Sequence, residues 1–495
     1  MRECVASILE SLVSMSRRCG APSVAVAMLL AAGCNGSNRA VIASFALNLL
    51  AQARLVNESP GLSDSDDPEI CCDGLNVYIV WEDDRNAVGG NRDIYFNFSR
   101  DGGVTWQPND IRLDTDPPGS GDSDDPLICC SGSNIYVVWR DERTTPGIDD
   151  IYFNSSSDGG VTWQANDIRL DTDPLGSANS DRARICCSGQ RVYVAWEDDR
   201  NSTEEDIFFN YSDDGGATWQ ANDRRIDTEP PALADSENIA LCCDGLNVYA
   251  AWQNNRDGEE DIYFNVSTDG GASWRANDIR IDSGDAAGGA QSRFVALCCD
   301  GPRVYAVWED ERNAPGGNND ILCNYSFDSG ATWQPNAIQV DNGSGDAEEV
   351  AVCCEGLNVY VVWRDQRTGG FNNDVFFNCS RDGGLTWKAN DIRLDVGDPA
   401  GSTQAGQARI CCAGSLLFAV WTDARNGASD IFCNLSTDSG DTWQANDVRL
   451  DTGDAPGAND SAQPVVCCHG PRVYFAWFDR RNDAVNRDIY FNGSR

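Results

Sequence analysis

The chain is short of several residue types, and each shortage closes a class of function. It has 495 residues but one histidine, His469, one lysine, Lys388, and three methionines, Met1, Met15 and Met28. His469 sits in a Cys-Cys-His-Gly turn where other copies of the same segment place Asp, Ser, Glu or Ala. That surface position excludes a His-based catalytic triad, and a lone histidine excludes a multi-histidine metal site. Basic residues are also scarce, 37 against 78 acidic ones, for a net charge of −41. Nucleic acid and anionic membrane surfaces are therefore excluded as partners, because their phosphates are repelled. Such acidity favours solubility, cations or a saline medium. Beyond residue 53 no apolar run is long enough to span a membrane, and no segment has helical periodicity. The apolar fraction of 41% is ample for a core.

Repetition fills the chain instead. The octapeptide SRDGGVTW at 99–106 returns as SSDGGVTW, SDDGGATW, STDGGASW, SFDSGATW, SRDGGLTW and STDSGDTW. The spacing, about 56 residues, is that of an array of small structural units. A second segment, C-C-x-G-x-x-V-Y-x-x-W-x-D-x-R, occurs eight times, with its tryptophan at Trp81, Trp139, Trp196, Trp252, Trp308, Trp363, Trp421 and Trp477. The units therefore number eight. The last stops at Phe491-Asn492-Gly493, where an eighth octapeptide and its final strand are due. Arg54-Leu55-Val56, ahead of the first Cys-Cys pair, matches the end of that strand, Arg112-Leu113-Asp114. The N-terminal strand is thus expected to complete the last unit and seal a ring without an open edge.

Each unit reads as four short strands. One ends in the Cys-Cys pair; the next is of the type Val77-Tyr78-Ile79-Val80-Trp81, the third of the type Asp93-Ile94-Tyr95-Phe96-Asn97, and the octapeptide turn opens the fourth. The expected fold is all-β, one eight-bladed β-propeller of four-stranded antiparallel blades over residues 54–495, a monomeric ring. Residues 1–53 are expected to be an export leader. Two processing sites compete: release after Ala53, following the apolar run 40–53, and a lipoprotein-like box before Cys34. Both place the protein outside the cytoplasm, secreted, periplasmic or on the cell surface.

The pattern S-x-D-x-G-x-x-W resembles the Asp box, or bacterial neuraminidase repeat, of the sialidase-like propellers, and the resemblance covers residues 54–495. It implies a propeller whose Asp boxes are turns remote from the pocket. Asp101, Asp158, Asp214, Asp269, Asp328, Asp382 and Asp438 then have structural roles: Ser and Asp bond turn backbone, glycines take positive φ, and the tryptophan covers the hairpin. The family's enzymes also need an arginine triad, an Arg-Ile-Pro segment, a Tyr nucleophile paired with Glu, and an Asp acid/base. No Arg-Ile-Pro occurs here, and nearly every tyrosine is a framework position of the repeat. Arg182, Arg184, Arg293 and Arg409, at irregular first-strand positions, are the candidates for binding a ligand at the channel mouth.

Sixteen of the 22 cysteines form eight adjacent pairs: Cys71-Cys72, Cys129-Cys130, Cys186-Cys187, Cys242-Cys243, Cys298-Cys299, Cys353-Cys354, Cys411-Cys412 and Cys467-Cys468. Two disulfide patterns compete. A bond within a pair requires a distorted turn, since adjacent Cα atoms lie about 3.8 Å apart. A bond between blades uses the opposite facing of neighbouring strand residues. Free or metal-bound thiols are a third state. Adjacent cysteines also resemble those of quinone-dependent alcohol dehydrogenases, but eight copies argue for structure. Cys323, Cys379 and Cys433 read as small buried apolar residues.

Acidic connections such as 114–125 place Asp114, Asp116, Asp122 and Asp124 among Gly and Ser, the ligand type calcium prefers, so calcium is a possible cofactor and none is required. Asp83 and Arg85 of the W-x-D-x-R segment are expected to pair between blades. These features lead to a non-catalytic exported propeller that binds carbohydrate or a surface protein through its loops. The alternatives are an exo-acting sialidase-like hydrolase and a structural protein of a matrix or surface layer.

Overall fold

The computed structural model describes residues 49–87, 90–231, 233–313, 317–368, 370 and 372–494. Most of the expected leader, with Cys34, lies outside them. The described chain has no helix and forms eight four-stranded antiparallel sheets in a ring, an eight-bladed β-propeller. Blade 1 runs from an inner strand, Ser65–Asp73, through Asn76–Asp83 and Asp93–Ser99 to a short outer strand, Ile111–Arg112. Blade 8 takes its outer strand from the N-terminus. Arg54–Leu55 pairs with Asp488–Gly493, Arg54 opposite Phe491 and Leu55 opposite Tyr490, so the ring closes as expected. The seam takes in earlier residues too: Leu49 bridges Ser494, and the buried Leu50 donates its N–H to the Gly493 carbonyl (3.0 Å).

Strand side chains alternate between faces, and here both faces are covered. In the second strand of blade 1, Val77, Ile79 and Trp81 pack with Tyr474, Ala476 and Phe491 of blade 8. Tyr78 and Val80 turn the other way, onto Ile135, Val137 and Trp139 of blade 2. The segment is therefore apolar without a break, because neither face meets water. No blade has a core of its own; the core is the set of interfaces.

The repeat motifs hold each blade in shape. The Trp81 indole and the Ser65 hydroxyl both donate to Asp83 (3.3 and 2.6 Å), which Arg85 grips through two nitrogens (2.9 and 2.7 Å). The guanidinium lies 3.9 Å over the Tyr95 ring and reaches Asp110 ahead of the outer strand (2.9 Å). These ion pairs, expected between blades, thus tie strands within one blade, since Arg85 folds back over the carboxylate two residues before it. In the Asp box, Ser99 donates to Asp101 (2.8 Å) and accepts from the Gly103 N–H (2.8 Å), while Asp101 accepts from Thr105 N–H and hydroxyl (2.9 and 2.7 Å). The same Ser–Asp bond recurs at Asp158, Asp214, Asp269, Asp328, Asp382 and Asp438. The side-chain bond from Thr162 holds Asp158 down to about 2. The Asn ahead of each box is structural as well: Asn97 is buried and donates to Gln107 O and Asp110 (3.1 and 2.8 Å).

Two features of the turn answer to the neighbouring blade. The Asp-box tryptophan, expected to cover its own hairpin, reaches back instead: Trp163 of blade 2 meets Phe96 of blade 1 edge-on at 4.8 Å, and Trp106 meets Phe491 at 5.1 Å. The second glycine is fixed for the same reason. A Cβ on Gly160 (φ +84°) would lie 2.5 Å from the Phe96 ring. The first glycine has no such neighbour in every blade, and Ser329 and Ser439 replace it at φ 59° and 60°.

Among the described residues three disulfides are formed, and each joins neighbouring blades: Cys71–Cys130, Cys129–Cys187 and Cys298–Cys354, with Cα separations of 6.1, 6.2 and 6.0 Å. None links adjacent cysteines. On an extended strand the two thiols of a pair face opposite blades, so the within-pair pattern is not adopted. Cys323, Cys379 and Cys433 are buried, as expected of apolar substitutes.

Gly160→Ala, at φ +84°, is expected to lower stability in urea by about 2–5 kcal/mol, from left-handed strain together with overpacking against Phe96. Gly189→Ala, at φ +65° with open space around it, is expected to cost about 1–2 kcal/mol, the strain of a left-handed alanine alone. Equal losses would contradict the account of the second glycine.

Candidate functional site

At one end of the channel every inner strand breaks its ladder. The register shifts between Asp66 and Glu69 in blade 1, and at the matching place in the other seven blades. The bulged residue is left-handed in each: Asp67, Asp125, Arg182, Asn238, Phe294, Glu349, Gln407 and Gln463, with φ between 44° and 55°. None is glycine, so each carries backbone strain of about 1 kcal/mol or more. In six blades the preceding blade offsets it by accepting the bulge N–H, as where Asp125 donates to Glu82 (3.2 Å), Phe294 to Gln253 (3.2 Å), Glu349 to Glu309 (2.7 Å) and Gln463 to Gln407 (2.9 Å); Arg182 donates to its neighbour Asp181 instead (2.6 Å). The result is a ring of eight side chains, of six kinds, at the channel mouth. Asp boxes dock at the other end of the inner strand, where Gly102 N–H donates to Leu75 O (2.9 Å).

Below the rim lies a cavity of about 410 Å³ lined by Asp67, Glu69, Asp125, Arg182, Arg184, Asn238, Gln407, Arg409 and Gln463, among others. A second, of about 850 Å³, shares Arg184, Asn238, Gln407 and Arg409 with it and adds Phe294, Glu309, Glu348 and Glu349. The two are parts of one channel. Arg184 comes from blade 3 and Arg409 from blade 7, opposite in the ring. Both are solvent-accessible, and each donates only to the carbonyl just before it, Ala183 O (2.9 Å) and Ala408 O (3.1 Å). Among the described residues neither forms an ion pair. Glu69 lies in their field; burial pushes its carboxyl up to about 7, and Arg409 and Arg184 restrain the rise. Enclosure pushes Arg184 below the usual arginine range, with Glu197 and Glu69 opposing.

The mouth is electrically uneven. Blades 1 and 2 hold a knot of acids around Arg92 and Arg487, where burial, then Asp124, raise Glu82 to about 10, and burial, then Asp66 and Asp125, raise Asp67 to about 6. Blades 3 and 7 supply the unpaired arginines, and blade 5 supplies Phe294, an aromatic side chain 48% exposed.

Of the four arginines expected at the mouth, three converge: Arg184 and Arg409 in the channel, and Arg182 at the rim, paired with Glu197 (3.1 Å). Arg293 does not join them; it pairs with Glu311 (3.1 Å). The four aspartates considered for calcium are not brought to one point. Asp114 and Asp116, with Asp93, surround Arg112 (2.5, 2.7 and 3.4 Å), whose guanidinium already supplies positive charge. The same clamp encloses Arg280 with Asp261, Asp282 and Asp285. Asp122 instead accepts from Arg92 N–H (2.8 Å), and Asp124 pairs with the Arg92 side chain (3.2 Å). His469 is exposed in its turn, 3.4 Å from Asp73.

Sequence reasoning missed Glu69, Asn238, Phe294, Gln407 and Gln463. A signal existed. The bulge residue stands four positions before the first cysteine of each pair, in a column reading Asp, Asp, Arg, Asn, Phe, Glu, Gln, Gln, where the rest of the unit hardly varies.

The raised carboxyls set a pH dependence. Glu69 and Glu309, at about 7 and about 8 in the folded chain against 4.5 ordinarily, bind protons more tightly folded than unfolded. Their contribution is complete below the ordinary value and is lost as pH rises through 7 and 8. The melting temperature is expected to fall between pH 5 and pH 8, and Glu69→Gln to remove about 1 kcal/mol of that dependence, discounted for water in the channel. An unchanged slope in the Glu69→Gln protein would contradict this reading.

Comparison with known proteins adds the following. The BNR/Asp-box repeat model matches residues 211–221. No curated protein matches the chain. Among solved structures, a Hadza microbial sialidase is similar at 15% identity and a TM-score of 0.38, over 67% of this chain and 66% of its own. An ulvan lyase aligns at 11% identity and 0.46, over 81% and 96%. An α-L-arabinofuranosidase from Fusarium graminearum aligns at 14% and 0.41, over 78% and 97%. Likenesses at this level carry no chemistry to the present chain. The matched turn is the one that recurs from Asp101 to Asp438, so the chain is an eight-bladed β-propeller that carries the BNR/Asp-box repeat.

Proposed function

We propose that this protein is an exported binding module that holds an acidic carbohydrate, free or on a cell surface, at the mouth of its central channel without cleaving it. One observation carries the reading: Arg184 and Arg409 face a single cavity from opposite blades, without carboxylate partners among the described residues. A guanidinium is a planar fork of donors that fits a carboxylate, and two across a channel suit a ligand bearing one. Asn238, Gln407 and Gln463 offer amides to sugar hydroxyls, and Phe294 offers an apolar ring for the sugar face. Inter-blade disulfides accord with an oxidising compartment. No described helix is long and apolar enough to cross a membrane.

Binding without turnover is supported by the lining, which among the described residues includes no tyrosine to pair with Glu69. Glu69 itself favours the second reading, an exo-acting hydrolase. A carboxyl held at about 7 is suited to donate a proton near neutrality.

A glycan array with uronic-acid, sialic-acid and neutral members, beside a fluorogenic sialoside assay, separates the two. Retention of acidic members alone is expected, with no turnover. Arg184→Ala and Arg409→Ala are each expected to weaken binding roughly tenfold. Binding is expected to be tighter at pH 6 than at pH 8, since deprotonated Glu69 places a negative charge between the arginines. Equal retention of acidic glycans by the wild-type and Arg184→Ala proteins, or neutral members held as well as acidic ones, would remove carboxylate recognition. Turnover abolished by Glu69→Gln would establish the hydrolase instead.

A further inference from the structure

The three disulfides follow one rule, and the rule has room for eight bonds. In each, the first cysteine of one blade meets the second cysteine of the next: Cys71 of blade 1 with Cys130 of blade 2, Cys129 with Cys187, Cys298 with Cys354. The rule rests on register, and all eight blades share the register. The first cysteine stands opposite an aromatic residue of the second strand, Tyr78 in blade 1 and Phe418 in blade 7, and the second opposite an aliphatic one, Val77 and Leu417. The same positions recur in the other six blades.

At each of the five remaining interfaces the two cysteines required by the rule lie in one packed cluster. Cys186 shares one with Cys243, Cys242 with Cys299, and Cys353 with Cys412. Cys411 shares one with Cys468, and at the seam Cys467 shares one with Cys72. No cysteine of the sixteen is left over, and none is claimed twice.

We propose that the oxidised protein carries a closed covalent belt of eight inter-blade disulfides, running once around the ring at its Asp-box end, with Cys467–Cys72 as the bond that seals it. The seam is otherwise held without a covalent bond, by the outer strand Arg54–Leu55, the Leu49–Ser494 bridge and the packing of blade 1 on blade 8. With the belt closed, a backbone cut in any loop frees no blade.

Each bond forms by exchange with an external disulfide of the oxidising compartment. Two cysteine thiols give up two protons and two electrons to become one S–S bond, and R–S–S–R accepts them to leave as two R–SH. Burial, and after it the facing thiol, push Cys186, Cys242, Cys353, Cys411 and Cys467 well above the usual thiol range. A buried protonated thiol is a poor nucleophile, so the belt forms while the blades assemble.

The test is mass spectrometry of the purified protein, alkylated under denaturing, non-reducing conditions and digested with trypsin. Arginines separate all eight Cys-Cys segments. One species containing all eight peptides is expected, lighter than their sum by sixteen hydrogens, with Cys323, Cys379 and Cys433 alkylated. Reduction is expected to release the eight. Eight separate peptides, each two hydrogens light, would mean bonds within pairs; alkylation among the sixteen would mean thiols; either result overturns the belt. Two variants distinguish a ring from a network. Cys467→Ser is expected to leave all eight peptides joined, with Cys72 newly alkylated. Cys467→Ser with Cys186→Ser is expected to divide them into blades 1–3 and blades 4–8, and any other division contradicts the rule.

Discussion

Everything in this molecule depends on one constraint: a blade has two apolar faces and can bury neither by itself. Val77, Ile79 and Trp81 need blade 8, and Tyr78 and Val80 need blade 2. A row of such blades would end in two wet apolar surfaces; a ring has none. Closure is thus a condition of stability, and the N-terminal strand that completes blade 8 follows from it. So do the Asp-box tryptophan, which seats on the preceding blade's phenylalanine, and the second glycine, which leaves room for that ring.

The same constraint divides residues that repeat from residues that vary. A side chain facing a neighbouring blade meets an almost identical surface from one interface to the next, so one solution recurs, as with Trp163 on Phe96 and Trp219 on Phe153. The bulge residues face the channel, where all blades meet and no two need agree. Symmetry fails there, with acids in blades 1 and 2, arginines in blades 3 and 7 and Phe294 in blade 5. The chain's charge of −41 repels an acidic ligand at a distance, so its recognition rests on the short reach of two guanidiniums.

The blade count, the four-strand unit and the seam at Arg54 were legible in the sequence because they are periodic. The Asp-box bonds were legible because they are local, spanning Ser99 to Thr105. What sequence reasoning could not place were relations between blades. The partner of each cysteine, the reach of Trp163 back to Phe96 and the facing of Arg184 and Arg409 all join residues that only the ring brings together. The pairing of Asp83 with Arg85 failed for the opposite reason: an ion pair expected between blades is closed within two residues. The bulge was hidden because its left-handed residue is never glycine.

The central claim is that the repeats build the ring and the unrepeated mouth does the work. The most direct test is a crystal structure with glucuronate as the probe. Its carboxylate is expected between Arg184 and Arg409, within hydrogen-bond distance of both, with the sugar ring toward Phe294. Glucuronate seated at the Asp-box end, or at several equivalent blades, would contradict the claim.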